Sequence, residues 1–236
     1  MSDVSALKTA LVLAGGKGER LRPFTDDRPK PMVEAAGAPI LVHHLRWLRD
    51  NGIERAVVLT GYRREVIDAY FSTPRIEGLQ VHCVTEERPL GRGGALRNGF
   101  AQAGIADDLV VATNGDVITD QPLAEMLALH EHTSALVTLM LSQMVSPYGV
   151  VDVDDAQMVV SFVEKPTLPL WVNAGVYLVD ASVFPRFPAE GDHETSTFPA
   201  LAKEARIAAL KSRAYWTSVE SQKELREVAG RLQASG

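Results

Sequence analysis

Positive charge and backbone freedom meet in one short stretch, "LAGGKGERLRPFTDDRPKPM" at residues 13–32. Gly15, Gly16 and Gly18 let backbone N–H groups come close to an anion. Arg20, Arg22 and Lys30 add charge, and a guanidinium grips a phosphate through two parallel hydrogen bonds. The stretch is not a Walker loop, because Gly-Lys-Ser/Thr is missing, and it lacks the third glycine of a dinucleotide fingerprint. The chain as a whole carries a net charge of −6, so the basic loop is a local device and a general nucleic-acid binder is disfavoured. A phosphate group is the expected guest.

Other stretches carry weaker chemistry when read alone. "VVATNGDV" (110–117) puts Asp116 just past an apolar run, where it is either an ordinary Asn-Gly-Asp turn or a ligand for a hard cation. "EERPLGRGGAL" (86–96) is a glycine-rich loop entering a helix. "GDHE" (191–194) sets His193 between carboxylates, and a lone histidine before a helix start reads as a surface residue. "HEH" (130–132) reads as favourable charge near a helix C-terminus. Cys83, the single cysteine, excludes an internal disulfide and points to a reducing cytoplasm; its apolar run makes it a buried strand thiol rather than a nucleophile. No Ser/His/Asp or Cys/His pairing suggests covalent catalysis.

The elements that must hold these residues follow from periodicity. "KTALVLA" (8–14), "RAVVLT" (55–60), "LQVHCVT" (79–85) and "DLVVATN" (108–114) read as strands. Helices are expected over 38–52, 63–71, 93–104 and 122–132; in the first, Leu41, Leu45 and Leu48 share a face and Gly52 marks the stop. Alternation of this kind predicts parallel βαβ units, with ligands outside the carboxyl ends of the strands. Gly15-Gly16 and Asn114-Gly115-Asp116 both follow strands, so both are expected to open onto one crevice.

Beyond residue 133 strand signals dominate, at 135–141, 148–154, 158–166 and 172–180. A helix is expected over 195–205, capped by Thr195 or Ser196, and another over 221–232. No Pro/Gly/Ser-rich linker divides the chain, so one domain is expected over 1–236, with a nucleotide-binding front lobe (1–133) and a mixed, substrate-binding back lobe (134–236). The first residues do not read as a signal peptide, and no apolar run approaches the ~20 residues that cross a bilayer, so no membrane partner is expected.

Taken together, these motifs resemble the sugar-1-phosphate nucleotidyltransferases, or nucleotide-sugar pyrophosphorylases, in the compact form of the mannose-1-phosphate guanylyltransferase-like members. The family pattern is close to G-G-x-G-T-R-L-x-P-x-T-x-x-x-P-K-P; Glu19 replaces the threonine and the other fixed positions are met. The resemblance implies a Rossmann-like three-layer α/β sandwich with a mixed, mostly parallel central sheet. It implies that Leu13, Ala14, Gly15, Gly16, Gly18, Glu19, Arg20 and Lys30 contact the nucleotide. Glu86, Pro89 and Gly91 would shape the base slot, with Asn114 and Gly115 nearby. Asp116 would bind catalytic Mg²⁺, and Gly149, Glu164, Lys165 and Asn173 would form the sugar-1-phosphate side, which makes 134–236 a sugar-phosphate-binding lobe.

The catalytic set implied is Arg20, Lys30, Asp116 and Lys165. The reaction implied joins a nucleoside triphosphate, GTP favoured, to a mannose- or heptose-like 1-phosphate or a cyclitol phosphate, releasing pyrophosphate. Uridylyl- and thymidylyltransferases of the same family, and a catalytically silent nucleotide-sugar-binding relative, are the alternatives. A glycosyltransferase would not need the triphosphate-gripping loop. Family members often form homo-oligomers.

One departure stands out. The family commonly shows W-x-D-I/V-G-T with its Asp as second metal ligand, whereas this chain reads "WTSVESQKEL" (216–225), with Ser218 at the Asp position. If the segment is extended, Ser218 and Glu220 share a face. Glu220 then either replaces the Asp, directly or through water, or is solvated, leaving Asp116 and the substrate phosphates to hold the metal.

Overall fold

The computed structural model describes residues 7–234, so the segment read for a leader lies partly outside the described residues. In chain order the first half holds β1 (Thr9–Leu13), a short hairpin of β2 (Glu34–Ala35) and β3 (Ala38–Pro39), and α1 (Ile40–Asp50). Then follow β4 (Arg55–Thr60), α2 (Arg64–Tyr70), β5 (Gln80–Thr85), α3 (Gly91–Gln102), β6 (Leu109–Asn114), β7 (Val117–Thr119) and α4 (Leu123–Thr133). The second half holds β8 (Val137–Val145), β9 (Val150–Val153), β10 (Val159–Val163), β11 (Thr167–Asp180), α5 (Thr197–Lys203), β12 (Ile207–Lys211), β13 (Trp216–Ser218) and α6 (Gln222–Ala234).

A seven-stranded sheet in the order β12-β8-β11-β6-β1-β4-β5 runs through both halves. Every neighbouring pair is parallel except those made by β11, which runs antiparallel to both β6 and β8. Its central strands are covered on both faces, hence their uninterrupted apolar runs. In β1, Val12 packs with Leu41, Leu45 and Met126 on the α1 and α4 side. Leu11 points the other way, into a cluster with Leu96, Phe184, Phe198 and Leu201 on the α3 and α5 side. This is the expected three-layer α/β sandwich.

α1 forms as the spacing dictates: Leu41, Leu45 and Leu48 are all fully buried. Gly52 ends it with φ of 90°, its N–H donating to the Arg49 carbonyl at 2.9 Å. A smaller cluster joins Leu225 and Val228 of α6 to Leu21, Val33, Ile118 and Val219, so the last helix braces the basic loop.

Several expectations are corrected. β11 begins at Thr167 rather than 172, and β8 runs to Val145, because Thr167 pairs with Val145 past a register shift. β12 was not anticipated; the helix expected over 195–205 ends at Lys203, and Ile207 to Lys211 pair in parallel with β8. Ser196 stands at the N-cap of α5 without capping it, since its hydroxyl donates to the Asp192 carbonyl instead.

The histidine readings are also corrected. His193 is not a surface residue: it is fully buried, edge-on to Tyr177 and Phe198, with neither ring nitrogen hydrogen-bonded. His130 supplies no helix-end charge, because burial lowers its pKa and its ring bonds the Thr138 hydroxyl. Cys83 fits its strand reading, half-buried in β5, where burial pushes its thiol up to about 12 and keeps it unreactive.

Burial holds both His193 and His44 at a pKa of about 4, the latter donating from Nδ1 to the Val117 carbonyl. The folded protein therefore keeps both neutral, while the unfolded chain takes up protons below about 6.5. Stability from these groups is complete above that pH and is lost as pH falls toward 4. His193→Phe is expected to flatten, without abolishing, the fall in melting temperature between pH 7 and 4.5. An unaltered slope in thermal melts would contradict this.

Candidate functional site

β1 and β6 lie side by side in parallel, with Leu13 opposite Asn114. Their carboxyl ends therefore release the glycine loop and the Asn114-Gly115-Asp116 turn at the same edge. Gly115 N–H donates to the Leu13 carbonyl at 2.9 Å, and a Cβ at Gly115 would lie 2.9 Å from that same oxygen. The loop then folds back on itself. Gly18, at φ +65°, sits where a Cβ would lie 2.5 Å from Lys30 Cβ, and the Thr25 hydroxyl donates to its carbonyl. This brings Lys30 beneath the loop with its side chain 9% exposed.

The Lys30 ammonium lies 2.5 Å from Asp116 Oδ2 and 2.8 Å from Glu220 Oε1. Glu220 Oε2 is 2.6 Å from Arg20 Nη2, and Ser218 Oγ donates to Glu220 Oε1 at 3.2 Å. Strand pairing sets this up: Ser218 of β13 stands opposite Val117 of β7, and Val219 N–H donates to the Asp116 carbonyl. Val219 is buried, which turns Ser218 and Glu220 together toward Asp116. Burial pushes the Glu220 carboxyl up, but Lys30, Arg20 and the Ser218 hydroxyl outweigh it and hold the pKa below the usual value.

Asp116 Oδ1 is buried and has no hydrogen-bond partner. An unpaired carboxylate oxygen beside a second carboxylate suits a hard divalent cation. Among the described residues there is no cluster of three or more His, Cys, Asp or Glu able to hold a metal. An ion held here takes its remaining ligands from water or a phosphate.

A cavity of about 390 Å³ opens over this cluster. Leu13, Gly15 and Gly16 line it from the β1 side, and Asn114, Asp116, Lys30 and Glu220 from its floor. Glu86, Pro89 and Gly91, the residues expected around the base, line another part of it. Glu86 does so by accepting the Leu90 N–H at 3.0 Å while packing over Gly15 and Gly61. Gly18, Glu19 and Arg20 line an adjoining opening that shares Gly16, Lys30, Asp116 and Glu220. Ala14 and Gly115 are scaffold rather than lining; the Ala14 N–H donates to the Leu59 carbonyl. Pro31, Leu59, Arg92 and Ala95 also line the cavity; in the sequence Pro31, Leu59 and Ala95 look like packing residues, and Arg92 like a solvated charge in a glycine-rich loop.

The residues expected on the sugar-phosphate side do not line this cavity. Gly149 packs beneath Phe162 and Glu164 at the foot of the β9–β10 ribbon. Lys165, at φ +49°, has its ammonium 3.8 Å from Glu164 and half exposed. Asn173 sits farther along β11, hydrogen-bonded to Tyr177 and Glu194. Glu194 carries no sequence signal of its own, standing in "GDHE" as one of the two carboxylates around His193.

Over 215 residues the chain is 39% identical to the mannose-1-phosphate guanylyltransferase of Mycobacterium tuberculosis, covering 88% of this chain and 59% of that protein. It spans about three fifths of the length of the curated relatives it matches. HddC from Yersinia pseudotuberculosis complexed with GMP-PN superposes with a TM-score of 0.74 at 24% identity, covering 95% of this chain and 99% of that one. A UDP-glucose pyrophosphorylase complexed with UDP-glucose gives 0.74 at 20% identity over 98% and 100%. The Nucleotidyl transferase family model matches residues 9–234, so the chain belongs to the nucleotidyl transferase family.

Proposed function

We propose that the chain transfers a nucleotidyl group from a nucleoside triphosphate to a sugar-1-phosphate or a cyclitol phosphate. The observation that carries this reading is the Lys30–Asp116–Glu220–Arg20 cluster at the floor of the cavity between the glycine loop and the end of β6. GTP and a mannose-like 1-phosphate are the favoured pair, a preference supported by the guanylyltransferase relative at 39% identity. Residues 1–133 would supply the nucleotide side of a single unit and 134–236 the sugar-phosphate side. Among the described residues no helix is long and apolar enough to cross a membrane, and the lone thiol suits a cytoplasmic setting.

In the proposed reaction a phosphate oxygen of the sugar substrate attacks the α-phosphorus. The bond from that phosphorus to the oxygen bridging toward the β-phosphorus breaks, and pyrophosphate leaves. The attacking oxygen is already ionised at neutral pH, so no general base is needed. Two polyanions must meet, which makes positioning and charge neutralisation the main work of the site. Lys30 and Arg20 are the cations at hand for the triphosphate, and Gly15 and Gly16 bring backbone N–H groups to it. Lys165 would hold the attacking phosphate. Asp116 and Glu220 fit Mg²⁺, which would supply charge neutralisation to the phosphates when bound.

A silent nucleotide-sugar-binding relative is the competing reading, favoured by Ser218 at the usual Asp position. The carboxylate two residues on, turned toward Asp116, speaks against it. A pyrophosphate-release assay of five nucleoside triphosphates against a panel of sugar-1-phosphates separates the two; no release with any pair would leave the binding reading.

Arg20→Ala is expected to lower turnover by about 10²-fold, the scale for removing one preorganised cation or donor. Its side chain is 77% exposed, so the melting temperature should stay unchanged. Near-normal turnover would remove Arg20 from the mechanism. Glu220→Gln is expected to raise the Mg²⁺ concentration for half-maximal pyrophosphate release about tenfold, the scale on which altering one partner of a metal site weakens metal affinity. An unshifted Mg²⁺ titration would reduce Glu220 to a partner of Lys30 and Arg20.

A further inference from the structure

Glu194 links Arg92, which lines the cavity, to Asn173 on β11. Its Oε2 lies 2.6 Å from Arg92 Nη2, and Arg92 lines the nucleotide cavity at the start of α3. Its Oε1 accepts hydrogen bonds from Asn173 Nδ2 and from the Tyr177 hydroxyl, each at 2.8 Å. Asn173 Nδ2 also lies 2.8 Å from the Tyr177 oxygen, and Asn173 Oδ1 accepts the Gly175 N–H at 3.0 Å. Glu194 thus joins the Arg92 guanidinium, which Asp192 also holds, to the Asn173 amide, whose oxygen faces the Gly175 N–H.

The contact is tight along its length. The Gly191 carbonyl accepts from Gly93 and Gly94 N–H, and Gly191 N–H donates to the Leu90 carbonyl at 2.7 Å. A Cβ at Gly91 would lie 2.6 Å from the Gly191 oxygen, and one at Gly93 would lie 2.8 Å from His193 N. Arg92 also donates from Nε to Asp192 Oδ2 at 2.8 Å, and Arg88 pairs with Glu190 at the outer end. Movement of the base-slot loop therefore carries residues 190–194 with it.

We propose that Glu194 is a positioning residue that couples the two substrate pockets, with Arg92 as its partner. Filling the nucleotide cavity settles Arg92, which settles Glu194, which holds Asn173 in one orientation for the sugar phosphate. The same coupling runs in reverse, as linkage requires. The proposal rests on the pocket assignments made above. A purely structural seam would weaken both affinities alike and lower the melting temperature; a coupling residue changes how each ligand affects the other.

Calorimetry tests this on the whole chain, titrating mannose-1-phosphate with and without a non-hydrolysable GTP analogue and Mg²⁺. The analogue is expected to tighten sugar-phosphate binding by about 5-fold or more, the lower end of ordinary site coupling. In Glu194→Gln and in Arg92→Met that factor should fall to near one. In Arg88→Gln, which cuts only the outer pair, it should persist. Coupling retained in both Glu194→Gln and Arg92→Met, or no coupling in the unaltered chain with both ligands bound, overturns the proposal. Failure of either ligand to bind the unaltered chain overturns the pocket assignments and the coupling with them. If Glu194→Gln does not fold, Arg92→Met decides alone.

Discussion

Everything at the candidate site depends on one buried ammonium. Lys30 is nearly enclosed, and it draws together Asp116 at the end of β6 and Glu220 after β13, residues separated by more than a hundred positions. A buried charge is costly unless it is paired and hydrogen-bonded, so the loop, the turn and the C-terminal segment must all be in place for any one of them to be stable there. The glycine loop supplies the reach, because Gly18 leaves room for the Lys30 side chain. α6 supplies the brace, with Leu225 and Val228 packed on Leu21 and Val219.

The carboxylate pair is assembled by an unusual local order of residues. The serine at position 218 sits on the strand that pairs with β7, and Glu220 lies beyond the strand end with a longer side chain. Val219, fully buried between them, fixes which way both neighbours face. The alternation that decides strand faces therefore puts Ser218 and Glu220 on one side of the chain and keeps the carboxylate in contact with Lys30.

Much of this was legible in the sequence. The βαβ alternation, the helix stripe of Leu41, Leu45 and Leu48, and the shared edge of Gly15-Gly16 and Asn114-Gly115-Asp116 follow from local periodicity and turn chemistry. What escaped is what depends on distant partners. β12 is short and becomes a strand by pairing with β8. His193 looks polar in isolation, but its surroundings are aromatic rings brought in from β11 and from either side of it in the chain. Glu194 and Arg92 are ordinary charged residues until the fold places them on opposite sides of one contact.

The sheet order has a consequence for the growing chain. β6 is complete by residue 114, but its second edge is covered by β11, which ends only at residue 180. Until then a strand with Val110, Val111 and Ala112 at its centre keeps a free edge, and β8 has neither of its eventual neighbours. An open apolar strand edge invites pairing with other chains. During synthesis the first half of this protein is therefore a species at risk of aggregation, and it becomes safe only when the one reversed strand slots between β6 and β8.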